Sequence, residues 1–201
     1  MTSWGKYFVP AALAVAAAGA HVQAATVWSE SVQGDLSGNR TAPSVVALLP
    51  GDNDVIATTQ GGDQEYFRVT VPTGAQLAGI ALRSYSAFDV SFIGVQQGST
   101  FTVDAAAAQP DDLYGYAHFG PGQVNTNILD DIGAGFDAQG FTPPLPAGTY
   151  TFWVQQLSGA TNYDLNFQVA PVPEPGALGL LAVAAVGAGR STRRRGTAAL
   201  R

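Results

Sequence analysis

Apolar and polar residues alternate along much of the central part of this chain. The clearest case is the segment YDLNFQV, residues 163–169, in which Tyr163, Leu165, Phe167 and Val169 alternate with polar residues. A period of two residues is typical of a β-strand with one buried face, because successive side chains point to opposite faces of a sheet. The pattern therefore predicts a strand that buries these four side chains.

The neighbouring segments also have the composition of strands. Residues 149–157, TYTFWVQQL, are rich in β-branched and aromatic residues. The polar, glycine-containing segment 158–162 separates them from the strand just described, so we expect a hairpin. Residues 64–71, QEYFRVTV, predict another strand, with Phe67 on its buried face and Glu65 at a polar position.

Short strands recur along the rest of the central region. Segments 77–85, 88–96 and 100–103 predict three more, with a tight turn at 97–99 between the last two. Strands at intervals of about ten residues, without helical periodicity, indicate an all-β fold, and we expect an antiparallel, jelly-roll-like β-sandwich. The glycine-rich segment 115–140 is the least regular part and predicts a long loop.

Two sections of this region resemble the bacterial pre-peptidase C-terminal domain. The first is GDQEYFRVTVPTG, residues 62–74, and the second is LPAGTY, residues 145–150, followed by the last two strands. The resemblance spans roughly residues 52–169 and is lost over residues 105–140. It implies a small jelly-roll-like sandwich of a kind that accompanies secreted enzymes, assists binding or folding, and is not itself catalytic.

The N-terminal segment, MTSWGKYFVPAALAVAAAGAHVQA, has the design of a secretory signal peptide. Lys6 precedes an apolar stretch at residues 7–20, and small residues follow it. We therefore expect cleavage between Ala24 and Ala25. The alternative is a retained membrane helix, but fourteen residues reach only about 21 Å, less than the bilayer core of about 30 Å.

The C-terminal segment combines three parts in a fixed order. Pro173, Glu174 and Pro175 come first, and residues 177–189 are uncharged and mostly apolar. The basic residues that follow are Arg190, Arg193, Arg194 and Arg195. Such a cluster stays on the cytoplasmic side of a membrane, and the prolines keep the backbone before the apolar stretch extended. This leaves Glu174 just outside the membrane, where a processing enzyme can reach it.

Residues 172–195 resemble the PEP-CTERM sorting signal of Gram-negative bacteria. The resemblance implies that the segment inserts transiently into the membrane and that the transpeptidase-like enzyme exosortase cuts near the motif. The body then goes to the cell surface or the exopolysaccharide. The alternative is a plain C-terminal anchor. The chain is thus divided into the signal peptide (1–24), a β-sandwich domain (25–171), the sorting signal (172–195) and a tail (196–201).

Charge is distributed unevenly along the 201 residues. The chain has a formal net charge of −6, but residues 25–189 hold only three arginines against all 15 acidic residues, a formal charge of −12. So acidic a surface repels phosphate backbones, and we expect no nucleic-acid partner. The same surface attracts cations.

The exported body is poor in the residues that catalysis needs. It contains no cysteine and no lysine, and its single histidine is His118. A nucleophile-and-base site is therefore not expected, and we predict no catalytic residue and no cofactor. Two adjacent carboxylate pairs, at 111–112 and 130–131, leave a polysaccharide hydrolase open as a minor alternative.

Two kinds of binding site are compatible with the remaining residues. Asp52, Asp54 and Asp63 offer oxygen ligands of the type that calcium prefers, although the EF-hand spacing is absent. Trp153 and Tyr114 offer aromatic rings for stacking on a glycan. The strand neighbours of Trp153, Phe152 and Val154, should face the opposite way. Either one face of this strand is therefore outward, or both faces are covered, by the second sheet and by a loop.

These observations together favour an exported, non-enzymatic β-sandwich protein of the cell envelope or biofilm matrix, with a structural role. A calcium- or glycan-binding adhesion module is the alternative. Exosortase and exopolysaccharide are the expected partners.

Overall fold

The structure is a computed structural model that describes residues 23–173. Within this range the chain forms nine strands and two short α-helices. In chain order these are β1 (Ala25–Ser29), α1 (Glu30–Gln33), β2 (Ser44–Val46), β3 (Gly51–Gln60), β4 (Gln64–Val71), β5 (Ala75–Tyr85), β6 (Ser91–Gln97), β7 (Gly115–Phe119), α2 (Leu129–Gly133), β8 (Gly148–Gln155) and β9 (Ala160–Pro171). Sheet A has the strand order β1-β3-β9-β5, and sheet B has the order β2-β4-β8-β6-β7.

The two sheets bury a shared core, which confirms the predicted β-sandwich. The four apolar side chains of the 163–169 pattern all lie in this core. Phe67 on β4 stacks on Phe152 of β8 at a centroid distance of 5.5 Å, and both rings meet Phe167 of β9 edge to face. Because Phe67 and Phe152 belong to sheet B and Phe167 to sheet A, these rings join the two layers.

Consecutive strands mostly lie in different sheets. From β1 to β6 the chain alternates between sheet A and sheet B, and β8 to β9 crosses again. The predicted hairpin between 149–157 and 163–169 is therefore wrong, although both strands exist. Alternation shows which side chains are buried but not which layer a strand joins, and a short loop can span the roughly 10 Å between packed sheets.

The sheets are mixed and not purely antiparallel as expected. β1 pairs with β3 in parallel, and β2 pairs with β4 in parallel. In each case the strand between the two partners in sequence lies in the other sheet. The chain thus completes a crossover before it returns, and a crossover connection produces a parallel pair.

Two local predictions were also wrong. Residues 100–103 form no strand, and 97–99 is therefore not a hairpin turn. Phe101 is instead buried, and its N–H bonds the Arg40 carbonyl at 2.8 Å, so this segment covers the outer face of sheet B. The segment 115–140, expected as a loop, contains β7 and α2.

Both ends of the described chain lie at the same end of sheet A. Ala25 on β1 pairs with Asn53, which pairs with Phe167, and β9 continues from there to Pro171. The loops at 61–63 and 156–159 lie at the opposite, distal end. None of the helices in residues 23–173 is long and apolar enough to cross a membrane.

Candidate functional site

Three carboxylates converge where the chain crosses from sheet A to sheet B. Glu30 begins α1 directly after β1, Asp35 follows that helix, and Glu65 lies on β4. One oxygen of each lies within 4.8 Å of the others. We call this group the crossover cluster.

The backbone around the cluster is anchored on both sides. Leu36 is buried in the main core immediately after Asp35. The N–H of Tyr66 bonds the carbonyl of Ser37 at 2.8 Å, which fixes the crossover beside β4. The position of Asp35 relative to Glu65 is therefore set by packing and by a backbone hydrogen bond.

Glu65 is fully buried because the strand period places it on the same inner face as Phe67. The hydroxyl of Tyr163 donates a hydrogen bond to its Oε2, whereas Oε1 has no hydrogen-bond partner among the described residues. Burial raises the pKa of Glu65 to about 9; the Tyr163 bond lowers it in part, and the charges of Glu30 and Asp63 raise it further.

Glu30 is held toward the cluster by two backbone donors. The N–H of Thr58 bonds its Oε2 at 2.8 Å, and the N–H of Leu36 bonds its Oε1 at 3.4 Å. Burial is the main reason that the pKa of Glu30 is raised. Within residues 23–173 no arginine forms an ion pair with the cluster. The cluster is thus suited to hold a proton or a cation.

Sequence reasoning missed this cluster. From the sequence, Glu65 is assigned to the polar positions of its strand. Glu65 lies two residues before Phe67, however, and therefore shares its buried face. An acidic residue at a buried position of an otherwise apolar face is the signal that the sequence contained. Its partners, Glu30 and Asp35, lie about thirty residues away and could not be assigned to it.

The structure does not bring together the three aspartates predicted to bind calcium. Asp52 and Asp54 lie near the start of β3, whereas Asp63 follows its far end, about 20 Å away at the usual strand rise. Asp54 accepts a hydrogen bond of 2.6 Å from Asn166. The prediction of a single calcium site formed by all three aspartates is therefore wrong.

An aromatic pocket of about 180 Å³ lies on the outer face of sheet B. Phe92 packs against Trp153 at 4.6 Å between centroids and stacks on Tyr116 at 5.8 Å. A Cβ on Gly94 would lie 3.0 Å from the Phe92 ring, so glycine allows this ring to lie close over the strand. Residues 105–113 form the remaining wall.

Trp153 is only 3% exposed, and its strand is buried on both sides. Phe152 faces the core between the sheets, and Trp153 lies under the loop that precedes β7. Its indole Nε1 is buried and has no hydrogen-bond partner among residues 23–173. Tyr114 stacks instead on Phe141 at 4.9 Å and does not line this pocket, so the two predicted glycan residues do not share a surface.

The remaining candidates for catalysis have local structural contacts. The exposed His118 meets Phe92 edge to face at 5.8 Å. Asp112 accepts the N–H of Gln109 at 2.9 Å and caps a 3-10 helix. The pair at 130–131 lies in the first turn of α2, where carboxylates are favourable.

The predicted processing points flank the described body. Ala25 is the first residue of β1, and Pro173 is exposed two residues beyond the end of β9. Ala24 is described as well. The other residues of the two terminal segments lie outside the described range: 1–22, Glu174, Pro175, Arg190, Arg193, Arg194 and Arg195.

Comparison with known proteins identifies one segment of the chain. The PEP-CTERM protein-sorting motif matches residues 171–195. No curated protein matches the chain. A crystal structure of the Aeromonas hydrophila periplasmic inhibitor of g-type lysozyme, PliG, is similar over 63% of this chain and 96% of its own, with 14% identity and a TM-score of 0.32.

The resemblance to the pre-peptidase C-terminal domain is not shown by these matches and stays an expectation. The chain carries a PEP-CTERM protein-sorting motif, and this motif implies an exported protein.

Proposed function

We propose that this chain is a non-catalytic protein of the cell surface or exopolysaccharide matrix of a Gram-negative bacterium, where it has a structural role. Exosortase processes it near Pro173. The observation that carries the proposal is the sorting motif at residues 171–195, which begins where β9 ends.

The position of the two ends supports this proposal. Cleavage after Ala24 leaves β1 complete, and cleavage near Pro173 leaves β9 complete. Both ends lie at the same end of sheet A. A chain held in the membrane by either terminal segment therefore has its distal end, with the loops at 61–63 and 156–159, pointing away from the membrane. Processing then releases a body that keeps all its strands.

The experiment is intact-mass measurement with terminal sequencing on protein from the native host, with medium, surface and membrane fractions analysed separately. We expect a species that starts at Ala25 and ends within residues 173–175, outside the membrane fraction. The triple variant Pro173→Ala, Glu174→Ala, Pro175→Ala should stay in the membrane. The control Thr197→Ala alters only the tail and should be processed. A wild-type species that is membrane-bound and retains Arg193 would identify a plain anchor instead.

A second candidate function is glycan binding at the aromatic pocket. Phe92 and Tyr116 supply adjacent rings above the buried Trp153, and Gln109 lines the same pocket with a polar side chain. Aromatic rings with a nearby polar group are the usual combination in small-ligand pockets.

Binding of the host's purified exopolysaccharide to the exported protein tests this candidate. Tyr116→Ala should weaken binding, whereas Tyr116→Phe keeps the ring and should bind nearly as well. Phe88→Ala is the control, because Phe88 is fully exposed in the loop between β5 and β6 and does not line the pocket. Equal binding by Tyr116→Ala, at an unchanged melting temperature, would exclude this pocket.

A further inference from the structure

We propose that the crossover cluster of Glu30, Asp35 and Glu65 binds a divalent cation, and that this cation is calcium. This site differs from the aspartates that the sequence suggested, and it goes beyond the proposed function.

Geometry provides the first argument. Three carboxylates from three different segments place oxygens within 4.8 Å of one another. Oxygens that surround one calcium ion at 2.3–2.6 Å come about as close to each other as this. Glu30 is already oriented by the Thr58 and Leu36 amides, so binding need not order its side chain.

The second argument is the unpartnered oxygen. Glu65 is fully buried, Tyr163 bonds its Oε2, and its Oε1 accepts no hydrogen bond from any described donor. Leaving a buried hydrogen-bond acceptor without a partner is costly. A cation bound at Oε1 provides the missing partner and also offsets the mutual repulsion of the three carboxylates.

Hydration and charge favour calcium as the occupant. Calcium takes six to eight oxygen ligands and tolerates irregular geometry, whereas magnesium requires a near-ideal octahedron. Asp35 is exposed, so water can complete the coordination shell on that side. Cysteine is absent from the chain, and the cluster contains oxygen ligands alone, which suits a hard cation.

A proton shared between Glu30 and Glu65 is the competing occupant. It would also reduce the repulsion, and the raised pKa values of both groups are compatible with it. The two occupants respond differently to added calcium. A ligand that binds only the folded state raises the melting temperature with its concentration, whereas a proton site responds to pH alone.

The test uses protein purified from the host after export and stripped with EDTA. Melting temperature is measured at pH 7.5 with increasing calcium up to about 10 mM, above the Kd of about 10⁻⁴ to 10⁻³ M that is usual for extracellular calcium modules. We expect a rise of several degrees, and a smaller one with magnesium. Terbium luminescence excited through the adjacent Tyr163 gives an independent measure of occupancy.

Three matched Asp→Asn variants locate the site. Asp35→Asn removes the negative charge of an exposed ligand without disturbing the core and should strongly reduce the calcium-dependent rise. Asp111→Asn changes an exposed aspartate elsewhere and should keep the rise, as should Asp52→Asn, which belongs to the sequence-predicted set.

Three results would overturn the proposal. The first is the absence of any calcium-dependent rise in the wild type, which would assign a proton to the cluster. The second is a rise that has its full size in Asp35→Asn. The third is a rise that only Asp52→Asn loses. None of these results bears on processing at the sorting motif, so the two proposals fail separately.

Discussion

The hydroxyl of Tyr163 on β9 donates a hydrogen bond to Glu65 on β4, and this contact joins sheet A to sheet B inside the core. Both side chains are buried. The bond lies next to the crossover that brings Glu30 and Asp35 to the same place. The interior of this sandwich is therefore not purely apolar, and its polar contact determines several measurable properties.

Without bound cation, the stability of the protein should fall as pH rises from 5 to 9. Glu65 has an ordinary pKa of 4.5 and a pKa of about 9 in the folded protein. Its contribution to the free energy of unfolding is therefore complete below pH 4.5 and is lost as the pH rises through 9. The raised pKa values of Glu30 and Asp63 act in the same direction. Urea unfolding in EDTA should show that Glu65 lowers the free energy of unfolding by up to about 1.4 kcal/mol for each pH unit in this range.

The variant Glu65→Gln should flatten this pH dependence. An amide keeps the shape of the side chain but does not ionise in this range. The raised pKa values of Glu30 and Asp63 leave a smaller slope. A slope equal to that of the wild type would mean that Glu65 is already ionised in the folded protein.

The variant Tyr163→Phe should destabilise the fold by about 1–3 kcal/mol at pH 7, because it leaves the buried Glu65 without its donor. Denaturant unfolding measures the change. Tyr85→Phe is the matched control, since its hydroxyl bonds the Ser91 hydroxyl at 2.9 Å away from the cluster. In a protein that already carries Glu65→Gln, the destabilisation caused by Tyr163→Phe should be smaller. Fully additive effects of the two substitutions would contradict a direct interaction between Tyr163 and Glu65.

The variant Trp153→Ala should cost about 3–5 kcal/mol, because the indole is almost fully buried under the loop before β7. Thermal and denaturant unfolding measure the loss. Leu157→Ala removes a side chain that is 83% exposed and should stay within about 0.5 kcal/mol of the wild type. If Trp153→Ala lowers the free energy of unfolding by less than about 1 kcal/mol, the ring is exposed to solvent and not buried under this loop.

Truncation should separate the body from its terminal segments. A chain of residues 25–173 keeps every strand and the bond from Val172 N–H to the Gly74 carbonyl at 2.9 Å, so its melting temperature should equal that of the exported protein. A chain that stops at residue 168 loses the buried Val169 and the end of the β9 ladder. We expect it to melt several degrees lower, as measured by calorimetry, and equal melting would show that the end of β9 is dispensable.

The sequence by itself determined the local properties of this protein. Period-two alternation predicted β4 and β9 and the burial of Tyr163, Leu165, Phe167 and Val169, because strand geometry alone sends alternate side chains to one face. Composition and the spacing of short segments predicted β5, β6 and β8. The order of residues from 173 to 195 likewise predicted the sorting motif, which is a linear signal.

Only the tertiary structure decided which elements meet. Loops of similar length join strands within a sheet or across the two layers, so the sequence could not show that β8 and β9 belong to different sheets. For the same reason it placed Asp63 with Asp52, although β3 separates them, and it could not bring Glu30, Asp35 and Glu65 together. Contacts between residues far apart in the chain depend on how the layers pack, and a local pattern carries no record of that packing.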